Sequence, residues 1–267
     1  MELHNQKSEV IRERIANSDN LQTRARTNNL YASNNFDAWV DEILSSLSYT
    51  SVLDICCGTG NQLVKFAISK NIKKVIGVDI SQPSLDVAQQ RVKELGGQFD
   101  FSVKNRSIDT LFSDPEFAST RFDIVSCFYG LYYSADATKL LHEIIDHLTL
   151  QGAIVIVGPY GDNNHSLFTL LERFFPIPEF VKRASCTFMP EEILPVLSQC
   201  MHVQEQSLVN TVKYPSVSSV LDYWKASTFY SVQHETFVKQ ALEEYFKINT
   251  EFIVEKHIKA YIAQKHS

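Results

Sequence analysis

Apolar and polar positions follow two different rhythms along this chain. Short apolar runs, typical of parallel strands buried on both faces, are separated by longer stretches in which apolar residues recur every three or four positions. The runs fall at residues 51–55, 74–78, 99–103, 122–127 and 153–157. This alternation predicts repeated β-α units, and hence an α/β fold with a doubly wound, mostly parallel sheet.

The longer stretches predict helices at residues 8–15, 36–47, 61–70 and 138–148, and one that begins after Ser81. Ser81 can cap its helix, with Pro83 in the first turn. The side chains expected to face the sheet from this helix are Leu85, Ala88, Val92 and Leu95. Residues 21–35 are polar, and we expect an irregular segment there.

After residue 158 the pattern changes, because prolines punctuate the helical stretches and phenylalanines become frequent. A sixth strand is predicted at 203–212, helices at 216–224 and 234–246, and a last strand at 251–261 that could give way to helix. The predicted organisation is therefore residues 1–48 before the first strand, a binding core at 49–158, and a helical cap with the last strands at 159–267.

Composition adds limits to this picture. The 267 residues, 44% of them hydrophobic, suit one sizeable domain with an elaboration. The net charge of -6 and the lack of basic runs argue against a nucleic-acid partner. We find no signal-like start and no apolar stretch near the roughly 18 residues of a bilayer span, so we expect a cytoplasmic protein without a membrane partner. The oligomeric state stays open.

Five cysteines are present, without a CxxC pair or a histidine at zinc-finger spacing. We interpret them as reduced thiols and expect no metal site. Cys56 and Cys57 are interpreted as small packing residues rather than nucleophiles, because no basic neighbour is present to lower a thiol pKa.

The strongest motif is VLDICCGTG at residues 52–60, an apolar strand that runs through an acid into a turn of small residues. Gly58 and Gly60 allow a sharp turn and a close approach of ligand to backbone, and the following helix begins with unpaired N–H groups. A dinucleotide fingerprint would need a third glycine, where this chain has Leu63. A carboxylate at Asp54 would repel a pyrophosphate but attract a cation, which suits S-adenosylmethionine.

A second acid, Asp79, ends the apolar run VIGVD roughly 20 residues after the glycine loop. At that offset a carboxylate binds ribose hydroxyls. Any adenosine binder of this type needs it, so Asp79 alone does not distinguish the two cofactors.

The loop at 52–60, together with VDIS at 78–81, resembles the class I S-adenosylmethionine-dependent methyltransferases, and within them the quinone- and biotin-pathway enzymes that act on small molecules. The segments 122–129 and 150–154 resemble the same family, so the likeness covers about residues 31–157. It implies a Rossmann-like methyltransferase fold, S-adenosylmethionine as cofactor and a small-molecule acceptor.

The resemblance also implies roles for individual residues. Around the methionine part of the cofactor it places Tyr31, Asp54, Cys56, Gly58, Gly60, Cys127 and Phe128, with Tyr31 covering the cofactor from the segment before the core. Around the adenosine part it places Asp79, Ile80, Asn105 and Arg106. Two positions depart from the family pattern: Cys56 stands for a frequent glycine, and Asn105 for a frequent aspartate.

Candidates for the acceptor site are Tyr129, Tyr133, His165 and Trp224, and packing is the alternative role for each. Tyr129 and His165 are also the candidates for catalysis, although no acid-base arrangement can be assigned from the sequence. His142 and His147 are expected on the surface. Arg24 and Arg26 could hold a carboxylate or phosphate of the substrate, with a solvated loop as the alternative.

Two other functions remain open. A nicotinamide-dependent oxidoreductase would share Asp79 but should have a third glycine in the loop. A non-catalytic protein could keep the same fold as a scaffold.

Overall fold

The computed structural model describes residues 17–265, so the helix predicted at 8–15 lies outside the described residues. Seven strands of that range form one sheet in the order β3-β2-β1-β4-β5-β7-β6. The strands are β1 (Ser51–Ile55), β2 (Lys74–Asp79), β3 (Asp100–Asn105), β4 (Phe122–Phe128), β5 (Leu148–Pro159), β6 (Met201–Tyr214) and β7 (Phe252–Lys265).

Ten α-helices of the described range accompany the sheet: α1 (Ser18–Tyr31), α2 (Phe36–Ser45), α3 (Asn61–Ala67), α4 (Gln82–Leu95), α5 (Ala137–Asp146), α6 (His165–Leu171), α7 (Glu179–Lys182), α8 (Leu194–Cys200), α9 (Val217–Lys225) and α10 (Glu235–Phe246). Short 3₁₀ or π-helical turns lie at Ile108–Ser113, Leu131–Tyr133, Arg183–Thr187, Met189–Ile193 and Val232–His234. No helix in the described range is long and apolar enough to cross a membrane.

The strands β1 to β5 pair in parallel, with β1 between β2 and β4. Val52, Leu53 and Ile55 of β1 are fully buried, as expected for a central strand covered on both faces. From β1 the chain adds β2 and then β3 on one side of β1, and it then crosses to add β4 on the other side. The direction in which strands are added therefore reverses beside β1. In open α/β sheets, ligands bind at such a switch point, outside the carboxyl ends of the strands. The predicted α/β sheet is confirmed.

The chain divides into two compact units. The core unit contains Val40–Gly158, Thr187–Ser207 and residues 259–265. The accessory unit contains residues 17–39, Pro159–Cys186 and Leu208–Ile258. The accessory unit has its own hydrophobic core, built around Trp224, Tyr214 and Leu171.

The expectation of an irregular segment at 21–35 is wrong, because most of it belongs to helix α1. Asn17 caps this helix, accepting a hydrogen bond from the Asn20 N–H at 2.9 Å. Only Thr27 is buried, and its hydroxyl donates to the Thr23 carbonyl at 2.9 Å. The helix is polar on almost every side, so no apolar stripe marked it in the sequence.

Three smaller expectations also need correction. Leu95 does not face the sheet but is 42% exposed at the end of α4. β5 begins at Leu148, five residues earlier than the predicted start at 153, and β7 is strand throughout. His147 is buried rather than on the surface. It follows α5, its Nδ1 lies 2.6 Å from the Glu143 carbonyl, and its ring stacks on Phe112 at 4.2 Å.

Candidate cofactor site

The loop after β1 turns by left-handed backbone at three residues. Cys56, Gly58 and Gly60 have φ angles of 55°, 52° and 80°, a region that glycine enters at no steric cost. At Gly60, an added Cβ would also lie 2.8 Å from the Cβ of Ala88 on α4. Gly60 is therefore required both by the turn and by the packing of the neighbouring helix.

Asp54 is a buried acid beside this loop. The parallel register places it opposite Ser126 on β4, and the Ser126 hydroxyl donates to Asp54 Oδ1 at 2.6 Å. Burial raises the pKa of Asp54 to about 7, the Ser126 hydrogen bond opposes this shift, and the negative charge of Asp79 adds to it. A cation placed beside Asp54 would therefore favour its ionised form.

Asp79 ends β2 and joins that strand to the loop. Its Oδ2 accepts a hydrogen bond from the Gly58 N–H at 2.8 Å, and its Oδ1 accepts one from the Ser81 N–H at 2.9 Å. Burial raises the pKa of Asp79, and these backbone hydrogen bonds oppose the shift. Each carboxylate oxygen can accept a further hydrogen bond, so Asp79 remains able to accept from two ribose hydroxyls.

The turn after β2 presents an apolar side chain. Ile80 is 49% exposed directly after Asp79, which is where the resemblance places adenine. The Asn105 amide donates to the backbone carbonyls of Asp79 and Ile80, at 3.2 and 2.8 Å. Asn105 thus holds this turn with its amide nitrogen. Arg106 pairs with Asp114, its Nε 3.0 Å from Oδ2.

Helix α3 packs closely on β2 without the third glycine of a dinucleotide-binding loop. Leu63 is fully buried, and a Cβ added at Gly77 would lie 2.6 Å from its Cδ1. The small residue needed for close packing of helix on strand therefore lies on β2 rather than on the helix. This arrangement differs from the dinucleotide fingerprint, in which the third glycine of the loop serves that packing.

Cys56 and Cys127 meet a turn that the sequence analysis overlooked. A Cβ at Gly130 would lie 2.2 Å from the Cβ of Cys56 and 3.2 Å from the Sγ of Cys127. Glycine at position 130 thus makes room for a cysteine where related loops often have glycine. A hydrogen bond with Cys127 and burial both raise the pKa of the Cys56 thiol, and burial raises that of Cys57. These shifts favour the packing role over a nucleophilic one.

Ser126 and Gly130 are the two residues of this site that the sequence analysis missed. The Ser126 role depends on strand register, which no local pattern contains. Gly130 could have been found from the sequence, because it closely follows β4, a strand that ends at the ligand-binding edge of the sheet.

Two of the predicted acceptor residues follow β4 in the core unit. Tyr129 has a left-handed φ of 57°, an uncommon conformation for a bulky residue and one that is frequent at functional sites. Its N–H donates to the Val157 carbonyl at 2.8 Å. Tyr129 and Tyr133 are each 36% exposed, Phe128 is partly buried, and Cys127 is buried.

The other predicted site residues lie in the accessory unit. Tyr31 is half-buried, with its ring 5.7 Å from that of Tyr214. His165 is exposed at the start of α6. Trp224 is fully buried in the accessory core, and its Nε1 donates to the Phe229 carbonyl at 3.3 Å. Its burial favours the packing alternative over contact with an acceptor.

The residues around the loop fit S-adenosylmethionine by their chemistry. This cofactor has two cationic groups, a ribose diol, an adenine ring and no phosphate. Asp54 offers a buried acid, Asp79 a carboxylate with free lone pairs, and Ile80 an exposed apolar surface. Among residues 17–265, no group of three or more His, Cys, Asp or Glu side chains could hold a metal ion.

Comparisons with known proteins bear on the same segment. Residues 52–152 match a protein family described as "Methyltransferase domain". A demethylmenaquinone methyltransferase of Lactobacillus johnsonii is 28% identical over 162 residues, which are 58% of this chain and 64% of the relative. The chain thus spans just under two thirds of that relative's length.

Two solved structures share the fold. The YcgJ protein from Bacillus subtilis has a TM-score of 0.59 at 17% identity and covers 86% of this chain and 98% of its own. A methyltransferase from Geobacter sulfurreducens, solved with S-adenosylhomocysteine, has a TM-score of 0.53 at 15% identity, over 86% of this chain and 90% of its own. The matched segment, less than half of the chain, contains the glycine loop, Asp79 and β4; it is a methyltransferase domain, and in it the chain is similar to the class I S-adenosylmethionine-dependent methyltransferases.

Proposed function

We propose that this protein transfers the methyl group of S-adenosylmethionine to a small-molecule acceptor. One observation carries the proposal: two acids, Asp54 and Asp79, end neighbouring strands at the switch point of the sheet, and Asp79 is hydrogen-bonded to the left-handed loop between them. This arrangement suits a cofactor that is cationic and carries a ribose, and it does not suit a pyrophosphate.

The cofactor supplies an electrophilic methyl group on a sulfonium. The task of the protein is then to hold the acceptor in line with the S–CH₃ bond and to exclude water. In this proposal Asp79 binds the ribose, Ile80 contacts adenine, and Asp54 provides negative charge near the methionine end. Tyr129, held in a left-handed conformation after β4, contacts the acceptor.

The small-molecule class of acceptor is supported by the likeness to a demethylmenaquinone methyltransferase and by the negative net charge, which disfavours nucleic acid. Transfer to oxygen, nitrogen or carbon is equally compatible with the site. A cytoplasmic location is part of the same proposal.

Calorimetric titration of the purified protein with S-adenosylmethionine, S-adenosylhomocysteine and NADH tests the proposal. We expect both sulfur compounds to bind at one site per chain and NADH not to compete for it. Binding of NADH at that site without binding of either sulfur compound would identify an oxidoreductase instead. A screen of metabolites with a labelled methyl donor then separates an enzyme from a scaffold, because only the enzyme produces a labelled product.

A further inference from the structure

Lys256 is a buried cation in the accessory unit. It lies on β7 and is 6% exposed. Its Nζ donates a hydrogen bond to Asn164 Oδ1 and lies 3.8 Å from the ring centroid of Tyr223. Lysine is almost never this buried unless it is paired with an acid, yet no carboxylate of the described chain forms an ion pair with Lys256. The cluster therefore holds a positive charge without a full counter-charge.

Asn164 is fixed beside Lys256 by its backbone. Its φ of 64° is left-handed, which asparagine tolerates better than most residues, and its N–H donates to the Glu255 carbonyl at 3.0 Å. Its side-chain oxygen accepts from Lys256 and from the Tyr223 hydroxyl, the latter at 3.4 Å. Both of these hydrogen bonds end on the amide oxygen of Asn164.

Arg24, on helix α1, lies close enough to this cluster for its charge to lower the pKa of both Lys256 and Tyr223. Its Nε is buried and has no hydrogen-bond partner in the described chain. A buried donor without an acceptor is costly, and more so when it is charged. An oxyanion in this place would satisfy Arg24 and neutralise both cations at once.

The titration behaviour of the cluster agrees with this geometry. Burial lowers the pKa of Lys256, and the charge of Arg24 lowers it further, against the opposing effect of Tyr223. Although burial raises the pKa of Tyr223, the charge of Lys256 and its hydrogen bond lower it overall. The polar groups here are arranged to stabilise negative charge on an oxygen.

Aromatic rings adjoin the cluster. The ring of Tyr223 lies 5.9 Å from that of Tyr214, which in turn lies 5.7 Å from that of Tyr31. The surroundings of the cluster are therefore largely aromatic.

We propose that Arg24, Lys256 and Asn164 form a binding site for the oxyanion, carboxylate or phosphate, of a small organic acid. This site lies within the accessory unit and goes beyond the function proposed above. It combines three residues from segments far apart in the sequence.

The test uses the full-length protein with sodium benzoate and phenyl phosphate as probes and benzamide as the neutral match. Ionic strength is kept constant, and both the dissociation constant and the melting temperature are measured. The variants are Lys256→Met and Arg24→Gln. The control is Lys213→Met, which removes an exposed lysine of the same unit that pairs with Glu251 at 3.5 Å.

We expect at least one anion to bind and to raise the melting temperature of the parent protein with increasing concentration, while benzamide does neither. Each variant should raise the dissociation constant of the anion at least about tenfold. Lys213→Met should leave that constant unchanged. The anion that binds more tightly shows whether the site prefers a carboxylate or a phosphate. If Lys256→Met fails to fold, Arg24→Gln provides the same comparison.

Three outcomes would overturn the site: neither anion binds the parent, benzamide binds as well as benzoate, or the variants bind the anions like the parent. Titration of the same proteins with S-adenosylmethionine keeps the two proposals apart. Anion binding without cofactor binding would reject the proposed function and keep the site, and the reverse would reject the site alone.

Discussion

The polar sites of the core and accessory units differ in how far apart their residues lie in the sequence. In the core unit, Asp54, the glycine loop and Asp79 lie within 26 residues of one another and occupy two successive β-α units. In the accessory unit, Arg24, Asn164, Tyr223 and Lys256 come from four segments spread over most of the chain.

The difference follows from backbone geometry. A strand that ends in a tight turn before a helix places its next residues at one edge of the sheet, so a local motif is already a site. The accessory cluster has no such local rule. It forms because α1, the turn before α6, α9 and β7 pack together, and each of its residues has an ordinary sequence environment.

The largest expected effect tests whether the accessory unit depends on its own core. Replacing the fully buried Trp224 by alanine should lower the free energy of unfolding by about 3–5 kcal/mol, because it leaves a large cavity. Chemical denaturation measures this loss. The matched control is Val232→Ala, at a residue that is 71% exposed in the same unit, where we expect a change within about 0.5 kcal/mol. An intact stability combined with a higher acceptor KM would instead return Trp224 to the acceptor site.

The next effect concerns the glycine loop of the core unit. Gly60→Ala should cost about 1–2 kcal/mol for the left-handed backbone and about 1–3 kcal/mol more for the overlap with Ala88. Gly161→Ala is the control, because Gly161 also has a left-handed φ, of 60°, and an added Cβ there would meet only His257 Nδ1, at 4.0 Å. Denaturant midpoints should therefore separate crowding from backbone strain. Equal losses in the two variants would contradict the packing role of Gly60.

A smaller effect is expected on cofactor binding. Asp79→Asn keeps one carbonyl oxygen for the loop but removes the charge that accepts from the ribose, so binding of S-adenosylmethionine should weaken by about 1.5–3 kcal/mol. Calorimetry measures the change. Asp100→Asn, an exposed acid at the start of β3, should leave the affinity unchanged. An affinity within twofold of the parent would reject the ribose role of Asp79.

The smallest effect is a pH dependence that comes from Asp54. Its pKa of about 7 in the folded protein lies above the ordinary value, so the free protein holds Asp54 protonated below pH 7. A cationic cofactor favours the ionised form, and binding should then release a proton. Affinity should consequently rise with pH between about 5.5 and 7, by at most roughly tenfold per unit, and level off above.

Titrations in two buffers of different ionisation enthalpy measure the released proton directly. The α-amino group of the cofactor stays charged below pH 7, since such groups titrate near about 7.7–8.0. It therefore does not contribute to the proton release that is measured in this window. Asp54→Asn should give a flat profile in this window. A flat profile in the parent protein would show that Asp54 is already ionised and is not coupled to the cofactor.

The same pKa has a consequence for the stability of the free protein. Between the unfolded value of about 3.9 and the folded value of about 7, the folded state binds more protons at Asp54. The contribution of this residue to stability is therefore full at low pH and is lost as pH rises through that window.

Prediction from sequence succeeded where periodicity and local turn chemistry are strong. The positions of β1 and β2, the cap at Ser81 and the left-handed loop could all be inferred, because buried strands and tight turns restrict which residues they accept. Helix α1 was missed because it is polar on nearly all sides, and His147 because burial at a helix end leaves no periodic mark.

The sequence by itself determined the α/β sheet and the acids at its ligand edge, since each depends on residues that are neighbours along the chain. Only the tertiary structure decided that Ser126 donates to Asp54, that Gly130 makes room for Cys56, that Trp224 lies in a core, and that Lys256 and Asn164 meet. Strand register and helix packing create these contacts between residues far apart in sequence. Such contacts leave no local pattern, because the residues next to each partner in the sequence do not depend on the identity of the other partner.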